Sequence, residues 1–313
     1  MGRLGTICLF AIGLVAGQAP GQQPSVFRGT TDNVPVFVTV TDKSGRLVPD
    51  LTRDDFQVVD GGKPQPLTVF DNSPQPVRLI VLIDVSGSMS GNLRLLRESA
   101  HELFIRLRDD DKVRVGTFGN EITISPEFMH DPADLEAALP TDIPQSARTP
   151  LWKAMDDAMT QLEPADGRRV IAVLSDGKDT APLFGKKFFT PLDISDRALR
   201  EDVMIYGVGM HSRGPGVGAP GMGGMTMQQA LVAPLPDPAL GTVALDSGGG
   251  YFEVRPRDDL GAAFARLADE LHHQYLLGFS PPAHDGKQHK IEVKLRNKDL
   301  KVRARKGYQA PKG

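Results

Sequence analysis

Five consecutive apolar residues, Leu79 to Ile83, run into a carboxylate, Asp84, and then into two hydroxyls, Ser86 and Ser88. An unbroken apolar run of this length suits a parallel strand covered on both faces, which commits the chain to a sheet with helices on either side. A carboxylate at the carboxyl end of such a strand lies on the rim where open α/β folds place their ligands. Asp84, Ser86 and Ser88 together offer a hard divalent cation three oxygen donors. On these residues alone, a polar strand-to-helix turn with serine as the helix cap explains the stretch equally well.

The surrounding pattern supports the sheet. Leu93, Leu96, Ala100, Leu103 and Leu107 recur at helical spacing, as do Leu151, Met155, Ala158 and Leu162, and then Leu260, Phe264, Leu267 and Leu271. Between them lie strand-like runs at Val113 to Phe118, Val170 to Leu174, Val203 to Val208 and Gly250 to Val254. Short helices are expected at Asp131 to Leu139, Ile194 to Arg200 and Pro238 to Leu245. This alternation predicts a doubly wound, mostly parallel α/β sheet over residues 77–273. The flanks differ. Val36, Val38 and Val40 alternate with less apolar neighbours, Phe56 to Val59 forms a second strand, and Asp60 to Gly62 signals a hairpin with Leu67 to Phe70 returning. Tyr275 to Ser280, Ile291 to Leu295 and Leu300 to Lys306 read as three more strands. Neither flank, 29–76 or 274–310, is large enough to bury much apolar surface alone. Both are expected to join in one small β-sandwich with the α/β unit inserted between them.

The chain starts with a short basic region (Arg3), an apolar stretch from Leu4 to Ala16, and small residues at Gly17 and Ala19. Residues 1–19 therefore read as a secretory signal peptide, followed by a flexible lead-in at 20–28. The single cysteine, Cys8, leaves with the signal, so the mature chain forms no disulfide and relies on its core. An exported protein, periplasmic or extracellular and without a further membrane span, is expected. A formal net charge of −3 over 313 residues argues against a nucleic-acid binder.

Two further positions change the weight of the opening stretch. The apolar strand Val170 to Leu174 also leads to a carboxylate, Asp176, and Thr149 lies just before the helix that begins at Pro150. Asp-x-Ser-x-Ser, a distant Thr before a helix, and Asp-Gly after an apolar strand resemble the von Willebrand factor type A (VWA) domain. The resemblance spans Val77 to about His273. It implies a metal-ion-dependent adhesion site (MIDAS) in which Asp84, Ser86 and Ser88 form the first loop, Thr149 the second and Asp176 the third. Asp54 to Phe56, Asp60 to Pro64, Tyr275 to Ser280 and Val302 to Tyr308 further resemble a bacterial exported group of VWFA-related domain proteins, for which no enzymatic activity is implied.

The donor chemistry gives the same site a use. Hydroxyls do not cancel a cation's charge, so a Mg²⁺ held by one or two carboxylates stays electron-poor and can accept an Asp or Glu carboxylate from another protein. Mg²⁺ is the expected occupant, with Mn²⁺ a substitute for the same all-oxygen set. The function expected is metal-dependent protein binding of the adhesion type. The alternatives are a metal-dependent hydrolase or a structural envelope domain stabilised by its metal. No nucleophile–base pair and no HExxH pattern stands out, so an enzyme is not expected. The sequence leaves the oligomeric state open. Residues 213–227, rich in Gly and Met, read as an insertion. Asp109 to Asp111 reads as a solvated turn, His272 and His273 as a helix end, and Lys301, Arg303 and Arg305 as basic protection of an edge strand.

Overall fold

The computed structural model describes residues 33–143, 148–165, 167–175, 179–180, 188–211, 236–255 and 258–313. The expected signal peptide, the lead-in, Asp176 and the 213–227 segment lie outside the described residues.

The two flanks build two four-stranded sheets, and each sheet needs strands from both. Strands β1 (Val34–Thr41), β2 (Phe56–Asp60), β3 (Lys63–Gln65) and β4 (Leu67–Asp71) come from the amino-terminal flank. The carboxyl-terminal flank supplies β11 (Tyr275–Phe279), β12 (Gln288–Leu295), β13 (Lys301–Arg303) and β14 (Gly307–Gln309). One sheet has the order β13-β1-β11-β4 and the other β14-β12-β2-β3. Val36, Val38, Val58, Leu277, Phe279 and Tyr308 close the core between them. The sandwich expected from the sequence is therefore present, and neither flank forms a sheet without the other.

Two strand assignments change. Gly61 and Gly62 turn with φ of 54° and 84°, the positive values that a tight hairpin turn requires. The returning strand is β3, not Leu67–Phe70. Pro64 is tolerated there because β3 is an edge strand whose outer groups need no partner. After Pro66 the chain crosses to the other sheet, where β4 pairs with β11. The last expected strand, Leu300 to Lys306, is shortened to β13, and β14, a further strand just beyond it, pairs in the other sheet.

Between the flanks lies a six-stranded sheet of order β10-β9-β8-β5-β6-β7. Its strands are β5 (Val77–Asp84), β6 (Lys112–Phe118), β7 (Ile122–Ile124), β8 (Arg168–Ser175), β9 (Val203–Met210) and β10 (Tyr251–Val254). All pairs are parallel except β6 with β7, the short edge hairpin. The described helices are α1 (Leu93–Phe104), α2 (Pro132–Ala137), α3 (Leu151–Leu162), α4 (Pro191–Glu201), α5 (Pro238–Asp246) and α6 (Leu260–His272). Leu79, Val81 and Ile83 of β5 pack toward α1, α2 and α6. Ile80 and Leu82 pack toward α3, α4 and α5. Both faces of β5 are thus buried, as its apolar run requires. Several helix starts are capped by their own sequence. Asp131, Asp237 and Asp259 accept first-turn N–H groups, and Thr190 with Asp193 forms a capping box around Pro191. Among the described residues no helix is long and apolar enough to cross a membrane.

Buried polar groups weld the sandwich to the α/β unit. Gln274, between α6 and β11, donates to Thr39 Oγ1 at 2.6 Å and to the Tyr206 hydroxyl at 3.3 Å, and accepts from Arg168. Arg303 pairs with the fully buried Glu270, and Arg305 pairs with Asp202 at 2.7 Å. Arg303 and Arg305 are therefore junction residues rather than edge guards, and only Lys301 of the three is exposed.

Asp111 is also not solvated. It is fully buried and accepts from Val77 N at 3.0 Å, Arg108 N at 2.8 Å and His272 Nε2 at 2.8 Å. It thereby fixes the entry of β5 and the end of α6. His272 turns inward to this carboxylate, whereas His273 bonds the Asp269 carbonyl. Burial acts to raise the Asp111 pKa, but the hydrogen bonds from His272, Arg108 and Val77 together outweigh it and hold the group below its ordinary 3.8. A carboxyl held low contributes stability above its unfolded pKa and loses it as pH falls through the folded value. Asp111→Asn is expected to cost about 3 kcal/mol at pH 7, by analogy with breaking a buried pair. In urea unfolding followed from pH 7 to pH 3, the gap between wild type and variant should narrow below about pH 4. A gap independent of pH would contradict this assignment.

Candidate metal centre

The first loop grows directly out of β5. Asp84 is paired in register with Phe118 of β6, and Val85 N donates to the Phe118 carbonyl at 2.9 Å, so the strand's last residues are held by its neighbour. Asp84 is 1% exposed. Its Oδ1 accepts from Ser86 N at 2.8 Å, and its Oδ2 accepts from Ser175 Oγ at 2.6 Å. A 3-10 turn, Gly87–Asn92, follows with Ser86 at its start, and only then does α1 begin. Ser88 lies within this turn, and α1 starts five residues later. Met89 N bonds the Ser86 carbonyl at 3.0 Å, and the Met89 side chain is buried in the core. That anchor leaves Ser88 exposed while Ser86 is buried.

The hydroxyls of Ser86 and Ser88 are 3.0 Å apart. Adjacent oxygens of an octahedron with metal–oxygen distances of about 2.1 Å are separated by about 3.0 Å. The pair therefore already has the spacing of two neighbouring donors to a Mg²⁺-sized ion. The carboxylate beside them is the hard, anionic donor that such an ion requires. The oxygens of this loop fit a divalent cation.

Thr149 is buried and immediately precedes Pro150 and α3. Its N–H donates to Thr180 Oγ1 at 2.7 Å, and its carbonyl accepts from Thr180 N at 2.9 Å. Two residues on, Leu151 N donates to Asp179 Oδ1 at 3.0 Å. Arg148 N meets Asn120 Oδ1 at 3.3 Å. The Thr149 segment is thus braced by residues 179–180, which belong to the connection after β8. Asp176, on that same connection, lies outside the described residues. Ser175, the residue before it, ends β8 and bonds Asp84.

The structure therefore joins Asp84, Ser86 and Ser88 directly, ties Thr149 to the connection after β8, and ties the end of β8 to Asp84. Ser175, Asp179 and Thr180 were not singled out by sequence reasoning. The available signal was their position, since all lie within four residues of Asp176. Among the described residues no cluster of three or more His, Cys, Asp or Glu side chains is placed to hold a metal ion. Among the described residues this rim places the Asp84 carboxylate beside the Ser86 and Ser88 hydroxyls.

Comparison with known proteins shows what this region is similar to. A family model for the von Willebrand factor type A domain matches residues 79–231. Similar solved structures include an aerotolerance-related membrane protein from Bacteroides fragilis NCTC 9343, at 16% identity and a TM-score of 0.47, covering 62% of this chain and 98% of that one. BatB from Bacteroides thetaiotaomicron is similar at 17% identity and a TM-score of 0.46, with the same two coverages. Proximal thread matrix protein 1 from the mussel byssus, with a zinc-occupied MIDAS motif, is similar at 13% identity and a TM-score of 0.45, covering 68% of this chain and 50% of that one. No curated protein sequence matches the chain. Type A domains are commonly metal-dependent modules of protein interaction and are typically not enzymes. Residues 79–231, within the parallel sheet and its helical layers, are thus similar to the von Willebrand factor type A domain.

Proposed function

We propose that this protein is an exported, Mg²⁺-dependent protein-binding module whose site is made by Asp84, Ser86, Ser88, Thr149 and Asp176. The observation that carries the reading is the first loop, a buried carboxylate with two hydroxyls 3.0 Å apart at the carboxyl end of the central strand. Asp84 supplies the charge, and Ser86 and Ser88 supply neutral donors that leave most of the cation's charge uncancelled. Bound there, Mg²⁺ or Mn²⁺ offers an open coordination position to an Asp or Glu carboxylate of a partner protein. The N-terminal end of the turn and of α1 adds a partial positive charge that favours the arriving anion. Ser175 holds Asp84 in place, and Thr180 and Asp179 hold the Thr149 segment.

Export rests on the amino-terminal pattern, with 1–19 as signal peptide and 20–28 as lead-in. The α/β domain at 77–273 carries the site, and the sandwich of 29–76 and 274–310 presents it. A general base beside the rim, which a hydrolase would need, is not identifiable from the sequence.

Mg²⁺ titration followed by thermal unfolding tests the metal. At a hundredfold excess over Kd the ion should stabilise wild type by about 2.7 kcal/mol, and Asp84→Ala should lose that response. Absence of any divalent-ion response in wild type would overturn the reading. Capture of a partner from the native envelope should be lost both with chelator and in Asp84→Ala. Capture insensitive to both would indicate a scaffold with a stabilising metal.

Ser175→Ala separates positioning from ligation. Loss of one hydrogen bond to a buried carboxylate should cost about 1–3 kcal/mol. Mg²⁺ affinity should fall, yet a saturable response should persist, because Ser175 orients a ligand and is not one. Unchanged Mg²⁺ affinity in this variant would remove Ser175 from the account.

A further inference from the structure

The sheet has a second end, roughly 20 Å from Asp84 along β5 at about 3.3 Å per residue. There, at the amino ends of β5, β8 and β9, the sandwich meets the α/β unit around a cavity of ≈ 270 Å³. Four arginines line it, Arg78, Arg168, Arg169 and Arg305, with Asp202 as the one carboxylate among the lining residues. Asp202 is already paired with Arg305 at 2.7 Å. Among the described residues no carboxylate lies at ion-pair distance from Arg78, Arg168 or Arg169.

The arrangement carries excess positive charge in a fixed geometry. Arg78 and Arg169 are direct cross-strand partners, and Lys112 of β6 continues the same row. Like charges set opposite one another on a sheet repel. Arg168 is buried, with Nη1 donating to the Leu271 carbonyl at 2.6 Å and Nη2 donating to Gln274. Its Nε, like that of Arg305, is a buried donor with no hydrogen-bond partner. A buried donor without an acceptor is costly to leave unpaired. Part of the lining is apolar. Phe37, with the Arg168 guanidinium 4.6 Å over its ring, lines the cavity together with Pro76 and Leu276.

We propose that this cavity binds a small organic anion, its oxyanion head on Arg78 and Arg169 and its aliphatic body against Phe37, Pro76 and Leu276. Arginine forks suit carboxylate and phosphate heads alike. The volume lies just under the usual range for small-molecule sites, about 300–1,000 Å³, which fits a short acid or monoester rather than a nucleotide or a peptide. Because Phe37 and Leu276 come from the sandwich and the two head-binding arginines from the α/β unit, the occupant bridges the two.

Calorimetric and thermal-unfolding titrations of the full mature chain, at fixed ionic strength, test this with acetate, butyrate, hexanoate, butyl phosphate and inorganic phosphate. Saturable binding at one site is expected, with affinity rising by up to about fourfold per added methylene. The double variant Arg78→Gln/Arg169→Gln should weaken binding at least tenfold, while Asp84→Ala should leave it unchanged. Arg169→Gln alone serves if the double variant does not fold, since this side chain makes no hydrogen bond to a described residue. Tighter binding of butyl phosphate than of butyrate supports the site with a phosphate head, and the reverse order supports it with a carboxylate head. Titrations that do not saturate, affinities indifferent to chain length, or binding unchanged in the arginine variants would overturn the proposal.

Discussion

The register of β5 between β6 and β8 is the constraint on which the rest depends. Asp84 lies opposite Phe118, and Ile83 lies opposite Leu174, so the central strand and β8 reach the rim together. Side chains alternate along a strand, and a slip of one residue would send Leu79, Val81 and Ile83 to the opposite helical layer. The same slip would carry Asp84 off the rim and away from Ser175. The apolar run is thus both the core of the molecule and the ruler that places its polar end. Asp111 secures the other end of the ruler by bonding Val77 N, the first residue of β5.

The sandwich is bound to this sheet through buried polar contacts rather than a bare linker. Gln274, Glu270 and Arg305 each reach across the junction, and each has partners on the other side. Buried charged groups are tolerated when paired, and they fix relative orientation more than they add stability. Two ends of one sheet consequently have different chemistry. At the carboxyl rim the described residues bring the Asp84 carboxylate together with hydroxyls, whereas the amino ends gather arginines beside apolar side chains.

Much of this was legible in the sequence, because it follows from periodicity and from the types of residue at strand ends. The run Leu79–Ile83, the helical repeats of α1, α3 and α6, and the alternation in β1 each reported directly on burial. The sandwich was legible from the smallness of each flank. What failed was pairing across distance. Leu67–Phe70 carries a good strand pattern, but no local signal says that Pro64 returns first and that β4 belongs to the other sheet. Asp111 resembled a solvated turn because its partners, His272 and the Val77 and Arg108 amides, are brought to it by the fold. Arg303 and Arg305 resembled edge charges for the same reason. In the site, hydroxyl and carboxylate types marked the rim, while the bracing by Ser175, Asp179 and Thr180 appears only when the loops are set side by side.

The central claim is that the Asp84 rim is a cation site with a position left for an outside carboxylate. Mn²⁺ binding followed by electron paramagnetic resonance, in wild type and in Ser86→Ala, tests it most directly. The account predicts one tightly bound Mn²⁺ per chain, displaced by excess Mg²⁺ and largely lost in the variant. No bound Mn²⁺ in wild type, or equal binding in Ser86→Ala, would contradict it.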